Sequence, residues 1–141
     1  MKEIKRNVVT ETQKTIYVAE DGKEFEKRDA CIWYEKSTEF DKKFETIEFY
    51  DEINCNRYHA YKLSSSEDYE LVKAIYCYSR CHWECNKNTA AWKFPITIFV
   101  QNNYSGDYDS ATVYLASDLL YEVDETIEDA NNFKDFINSN K

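Results

Sequence analysis

Cys77-x3-Cys81-His82-x2-Cys85 is the densest group of metal-ligating and nucleophilic side chains in the chain. Thiolate and imidazole are zinc's preferred ligands. On one helix the three cysteines would spread over about 80° of an edge, and His82 would point about 100° away from Cys81, towards the core. A fourth ligand would have to come from Cys55 or His59, and the spacing is not that of common zinc sites. Packed or partly exposed thiols account for the group, so no metal is expected. His59 or His82 could act as base to a cysteine nucleophile, but five cysteines and two histidines supply such pairs by chance. His82 reads instead as a hydrogen-bonded core residue. Asn103-x-Ser105-Gly106-Asp107-x-Asp109-Ser110 is rich in oxygen ligands, yet it lacks the full calcium-loop pattern and its closing glutamate. A hairpin turn explains it better. No pair among the 27 acids stands out as an acid–base couple. No catalytic residue and no cofactor is assigned.

The chain that must position these groups has 141 residues, of which 43% are hydrophobic and 16% aromatic, so it can bury a core without staples. Two Gly and one Pro exclude a glycine-rich phosphate cradle. A net charge of −9 argues against direct binding of nucleic acid by phosphate neutralisation. No apolar run of signal-peptide length follows Met1, and no stretch approaches the roughly 18 apolar residues of a membrane span. The expectation is a cytoplasmic protein with reduced thiols and no membrane partner.

Residues 4–9 and 14–19 read as strands, with Asp21-Gly22 as a tight turn into a third strand at Lys23–Glu26. Ala30, Trp33, Ser37, Phe40 and Phe44 recur at helical spacing, so a helix is expected over 28–44. Residues 46–50 and 57–63 alternate as short strands. Ser64-Ser-Ser-Glu67 resembles a capping box that opens a helix running to about residue 86. Its inward face would hold Leu71, Val72, Ile75, Tyr78, Ser79, His82 and Trp83. Trp33, Trp83 and Trp92 are expected in the core. Two further strands, 96–100 and 110–116, precede a helix over 124–138 with Ile127, Ala130, Phe133 and Ile137 inward. Residues 117–123 fit an earlier helix start or another strand. The order predicts a single α+β domain, an antiparallel sheet with about three helices.

The segment from Tyr17 to Glu35, YVAEDGKEFEKRDACIWYE, resembles a hairpin-plus-helix unit of small bacteriophage proteins. In that unit an aspartate-glycine turn precedes an EF pair and a helix carrying a cysteine and an aromatic-glutamate pair. The resemblance spans about 20 residues. It implies phage origin, and some such proteins resemble inhibitors of host defence, anti-CRISPR proteins among them.

Charge is distributed unevenly. Residues 1–100 carry 18 acids against 16 Lys and Arg, whereas residues 101–141 carry nine acids against two lysines. No basic residue lies between Lys93 and Lys134. If 117–137 were one helix, Asp118, Glu122, Glu125 and Asp129 would line one face about 5–6 Å apart, a pitch at which carboxylates can imitate a nucleic-acid backbone. Acids near a helix N-terminus also favour the macrodipole, which alone accounts for Asp124, Glu125 and Glu128. The sequence therefore predicts a non-catalytic inhibitor. Asp107, Asp109, Asp118, Glu122, Glu125 and Asp129, anchored by Tyr108 and Tyr121, would meet a basic host protein, a nuclease or CRISPR-type effector. A small enzyme or nucleotide-sequestering protein, and a phage structural protein that pairs with a second copy of itself, are the alternatives.

Overall fold

A computed structural model describes residues 1–7, 13–51, 55–78, 82–105, 108–122 and 128–141. The chain has the α+β class expected, and it divides into two compact units, 1–43 and 44–141.

The first unit is a three-stranded antiparallel sheet and one helix. β1 (Lys2–Asn7) pairs with β2 (Gln13–Val18), and β2 with the two-residue β3 (Glu24–Phe25). The turn between β2 and β3 depends on Gly22, whose φ of +90° costs an L side chain energy but not glycine. Two backbone bonds close it, Gly22 N–H to Ala19 O and Ala19 N–H to Lys23 O, both 2.9 Å. Asp21 holds it further: Oδ1 accepts the Lys23 N–H at 3.0 Å, and Oδ2 accepts the Tyr34 hydroxyl at 2.6 Å. Tyr34 belongs to α1 (Arg28–Lys43), so a single carboxylate ties turn to helix. The segment Tyr17–Glu35 is thus one local unit. Its helix keeps most of the expected face, with Phe40 and Phe44 buried and Ala30 and Ser37 half-buried, and departs from it at Trp33. Cys31 and Phe40 are buried, while Trp33 is 36% exposed instead of lying in the core.

The second unit is built on a five-stranded sheet in the order β4-β5-β7-β8-β6, with ranges Ile47–Asp51, Asn56–Leu63, Ile96–Ser105, Tyr108–Tyr114 and His82–Glu84 for β4, β5, β7, β8 and β6. All pairings are antiparallel except β6 with β8, which is parallel. The register sets Ile47, Ala60, Phe99 and Tyr114 side by side across four strands. That row faces α3 (Ala116–Glu122) and α4 (Glu128–Ser139), whose Leu119, Phe133 and Ile137 close the core with Tyr58, Ala60 and Phe99. Stacked rings fill it: Phe49 lies 5.1 Å from Phe133 and 4.8 Å from Phe136, and Tyr58 lies 5.2 Å from Phe133. Such pairs add about 0.5–1.5 kcal/mol each beyond their buried area, which explains the use of so many aromatics.

The alternate residues, Glu48, His59 and Tyr61, face the opposite side, under α2 (Ser66–Cys77). The helix begins one residue later than a cap at Ser64 would place it. Ser65 is the cap: its Oγ accepts the Asp68 N–H at 3.3 Å, and Asp68 Oδ2 accepts the Ser64 N–H at 2.7 Å. Replacing Ser65 with alanine is expected to lower the stability of this unit by about 1 kcal/mol, read as a shift in urea midpoint, with Ser65→Asn recovering most of it.

The expected helix over 66–86 ends at Cys77. Residues 82–84 instead join the sheet as β6, so Trp83 packs its ring against α2 from the sheet side, 6.0 Å from Tyr69 and 5.6 Å from Tyr76. His82 is consequently 57% exposed near Glu84, not in the core, and Tyr78 is 51% exposed at the C-cap of α2. The helical edge for Cys77, Cys81 and Cys85 does not form. Cys77 ends α2, Cys85 follows β6, and Cys81 lies outside the described residues. Among the described residues no helix is long and apolar enough to cross a membrane.

Candidate functional site

Six of the nine acids of residues 101–141 are carried by β8, α3 and α4, the other three lying outside the described residues, and the two helices cover the same face of the sheet. A single helix over 117–137 is not formed. In one straight helix Leu119 and Ile137 would stand about 27 Å apart, yet both reach the cluster around Phe99. α3 and α4 therefore are not parts of one straight helix: Asp118 and Glu122 belong to α3 and Asp129 to α4, with Glu125 outside the described residues.

Placed one by one, the expected contact residues differ in role. Asp109 is an exposed residue of β8, opposite Tyr104. Tyr108 opens β8 across from Ser105, so the oxygen-rich stretch is a hairpin, with Asp107 outside the described residues. Tyr121 and Glu122 end α3, and Asp129 is the second residue of α4. Glu125 lies outside the described residues. Asp118 is structural. Its Oδ2 accepts the Leu115 N–H at 2.9 Å, satisfying a donor at the start of α3, and its Oδ1 meets Lys87 Nζ at 2.6 Å. One carboxylate of the acidic set is therefore neutralised from the front of the chain.

Dividing the charge by unit sharpens the asymmetry. Residues 1–43 carry ten acids and ten Lys and Arg, whereas residues 44–141 carry 17 acids and eight Lys and Arg. The whole net charge of −9 thus belongs to the second unit, and −7 of it to residues 101–141. The sequence-level count along the chain did not reveal this division, because it needed the boundary at residue 43.

The opposite face of the same sheet holds a polar chain that no motif or spacing announces. Glu48 and His59 are direct cross-strand partners, and Glu48 Oε2 lies 2.9 Å from His59 Nε2. His59 Nδ1 lies 3.4 Å from the Tyr76 hydroxyl, which lies 2.7 Å from that of Tyr61. Arg57 Nε stands 3.3 Å from the other Glu48 oxygen. A carboxylate only accepts, so Nε2 carries the hydrogen and Nδ1 presents its lone pair to Tyr76. Burial pushes the Tyr61 phenol up, so it stays neutral beside Tyr76.

The hydrogen bond from His59, with the Arg57 guanidinium adding to it, holds the Glu48 carboxyl below its ordinary value. A carboxyl depressed on folding stabilises the fold above its unfolded pKa, and that contribution is lost as the pH falls through the folded one. The urea midpoint of the second unit is therefore expected to decline on acidification below the ordinary carboxylate range. Glu48→Gln should flatten part of that decline.

A neighbouring network is tied by Trp83, whose Nε1–H donates to Tyr69 Oη at 2.8 Å. Burial pushes the Tyr69 phenol up to about 12, and its bond to Cys85 acts in the same direction. In the first unit an open groove of about 770 Å³ runs along α1, with Glu20, Asp21, Glu35 and Glu39 facing Lys36 and Lys42. Two of these acids already serve the fold: Glu35 takes the Met1 ammonium at 3.0 Å, and Asp21 holds its turn. No group of three or more His, Cys, Asp or Glu side chains among the described residues could hold a metal ion.

Compared with known proteins, the chain matches no family model, no curated protein and no solved structure.

Proposed function

We propose that this protein works by occupancy, as a phage-encoded inhibitor whose acidic second unit binds the basic, nucleic-acid-binding surface of a host defence or nuclease complex. The observation that carries this reading is the segregation of charge: an electrically balanced first unit and a second unit holding the entire net charge of −9, most of it on residues that build β8, α3 and α4. Self-repulsion of this kind destabilises the fold that carries it. A basic partner would relieve it, and long-range attraction would speed the encounter. The resemblance of Tyr17–Glu35 to phage segments points to a bacterial host.

The test is retention of bacterial lysate proteins on the immobilised full chain at low and raised salt, followed by competition with duplex DNA or RNA. The expected result is a nucleic-acid-binding protein that elutes as salt rises and that cannot hold nucleic acid and this chain together. If no basic protein is retained even at low salt, the reading fails.

A further inference from the structure

The acidic layer leaves the polar chain under α2 without a function. That chain joins a base to an oxidisable ring. The Tyr76 hydroxyl faces the free lone pair of His59, and Glu48 stands behind His59 to stabilise the imidazolium that a proton would create. Tyr76 is also the end of a series of rings. Its centroid is 5.6 Å from Trp83, Trp83 is 6.0 Å from Tyr69, and Tyr69 is 5.2 Å from Trp92. Removing an electron makes a phenol a far stronger acid, so oxidation of a tyrosine is easiest where a base stands ready for its proton. Among the described residues Trp83 and Tyr69 are paired otherwise: the Trp83 N–H is directed to the Tyr69 oxygen, and the Tyr69 phenol is bonded to Cys85 instead of to an imidazole.

We propose that Tyr76 is a redox-active tyrosine at which oxidising equivalents entering the Trp92–Tyr69–Trp83 rings come to rest. The external reactant is a one-electron oxidant, an oxygen-centred radical or an oxidised metal complex, which gains one electron from an indole. One electron then passes from Tyr76 to the indole radical and restores it. The Tyr76 O–H bond breaks and its proton binds His59 Nδ1. The products are a neutral tyrosyl radical and an imidazolium paired with Glu48. The titratable and charged groups around His59 are Glu48 from β4, Arg57 and Tyr61 from β5 and Tyr76 from α2, while its β7 neighbour is the apolar Val100.

The experiment is flash oxidation of the full chain by photo-excited tris(bipyridyl)ruthenium with persulfate. It is done in a Tyr50→Phe, Tyr78→Phe background, because these two tyrosines are exposed and would react directly. Indole and tyrosyl radicals are followed by transient absorbance. The expected result is an indole signal that decays as a tyrosyl signal rises. Tyr76→Phe should leave the indole radical long-lived. His59→Gln should slow the transfer by roughly a hundredfold, the low end of what a positioned base contributes, and added imidazole should restore part of the rate. Transfer at the parent rate in either variant overturns the proposal. Should His59→Gln fail to fold, Glu48→Gln, altered at a side chain 49% exposed, serves in its place. It too must slow the transfer, and an unchanged rate overturns the proposal equally.

Discussion

Phe99→Ala is expected to lower the stability of the second unit by about 3–5 kcal/mol. Phe99 has no exposed surface and sits on β7, between β5 and β8 in the sheet order. Its neighbours in the cluster come from β5, α3 and α4: Tyr58, Ala60, Leu119, Phe133 and Ile137. Its ring also meets Phe136 edge-on at 6.0 Å. Because these partners are anchored on three separate elements, none can move into the void without breaking its own contacts, so the cavity term adds to the lost transfer energy. For a unit of about 100 residues each kcal/mol shifts the melting temperature by roughly 4–8 °C, so Tm should fall by about 12 °C or more. Near-ultraviolet circular dichroism reports the transition, since aromatic rings make the core. A loss below about 1 kcal/mol, the ordinary effect of a substitution, would show that Phe99 is not the keystone of this face of the sheet.

Neutralising four acids of the last third, with Asp109→Asn, Glu122→Gln, Glu125→Gln and Asp129→Asn together, should slow association with the basic partner by about tenfold to a hundredfold. The substitutions move the net charge from −9 to −5. Attraction at a distance governs the rate of encounter more than the lifetime of the complex, so the dissociation rate should change less. The salt dependence of association should flatten in parallel. Asp118 is left intact, because its replacement would break the Lys87 pair and release the Leu115 N–H. The control removes the same number of charges from the first unit, at Glu3, Glu26, Asp29 and Asp41, and should leave association nearly unchanged. Rates measured against the captured partner at two ionic strengths decide the matter: equal losses in both variants would place the contact elsewhere.

Much of the architecture was legible because local chemistry and tertiary packing agree there. The helix over 28–43, the strands around 47–51 and 56–63, the Asp21-Gly22 turn and the serine cap before α2 each carry a signal that their neighbours reinforce. The signal fails where one pattern serves two structures. Leu71, Val72 and Ile75 continue in helical step to His82 and Trp83, so nothing in the spacing marks the end at Cys77. What ends the helix is the demand of β8 for a parallel neighbour and of α2 for an indole beneath it. Residues 117–137 likewise keep a helical rhythm although α3 ends at Glu122 and a separate helix, α4, begins at Glu128. Trp33 shows the limit of composition: its size suggests burial, but the smaller Cys31 occupies that place. As for the site, the excess of acids was readable and the confinement of the net charge to one unit was not. The Glu48–His59–Tyr76 chain joins three elements through register alone, and a one-residue slip of β4 would abolish it.

The placement of Phe133 and Ile137 at the heart of the core has a bearing on synthesis. A ribosome delivers residues 1–43 first, and their sheet and helix pair only with one another within that stretch. The larger unit cannot close until α4 has left the exit tunnel, because α3 alone leaves that face only partly covered. During that interval the rings of Phe49, Tyr58 and Phe99 stand open to other chains. Nascent copies shortened before residue 128 should therefore clump or be degraded, even though every strand of the sheet has already been made.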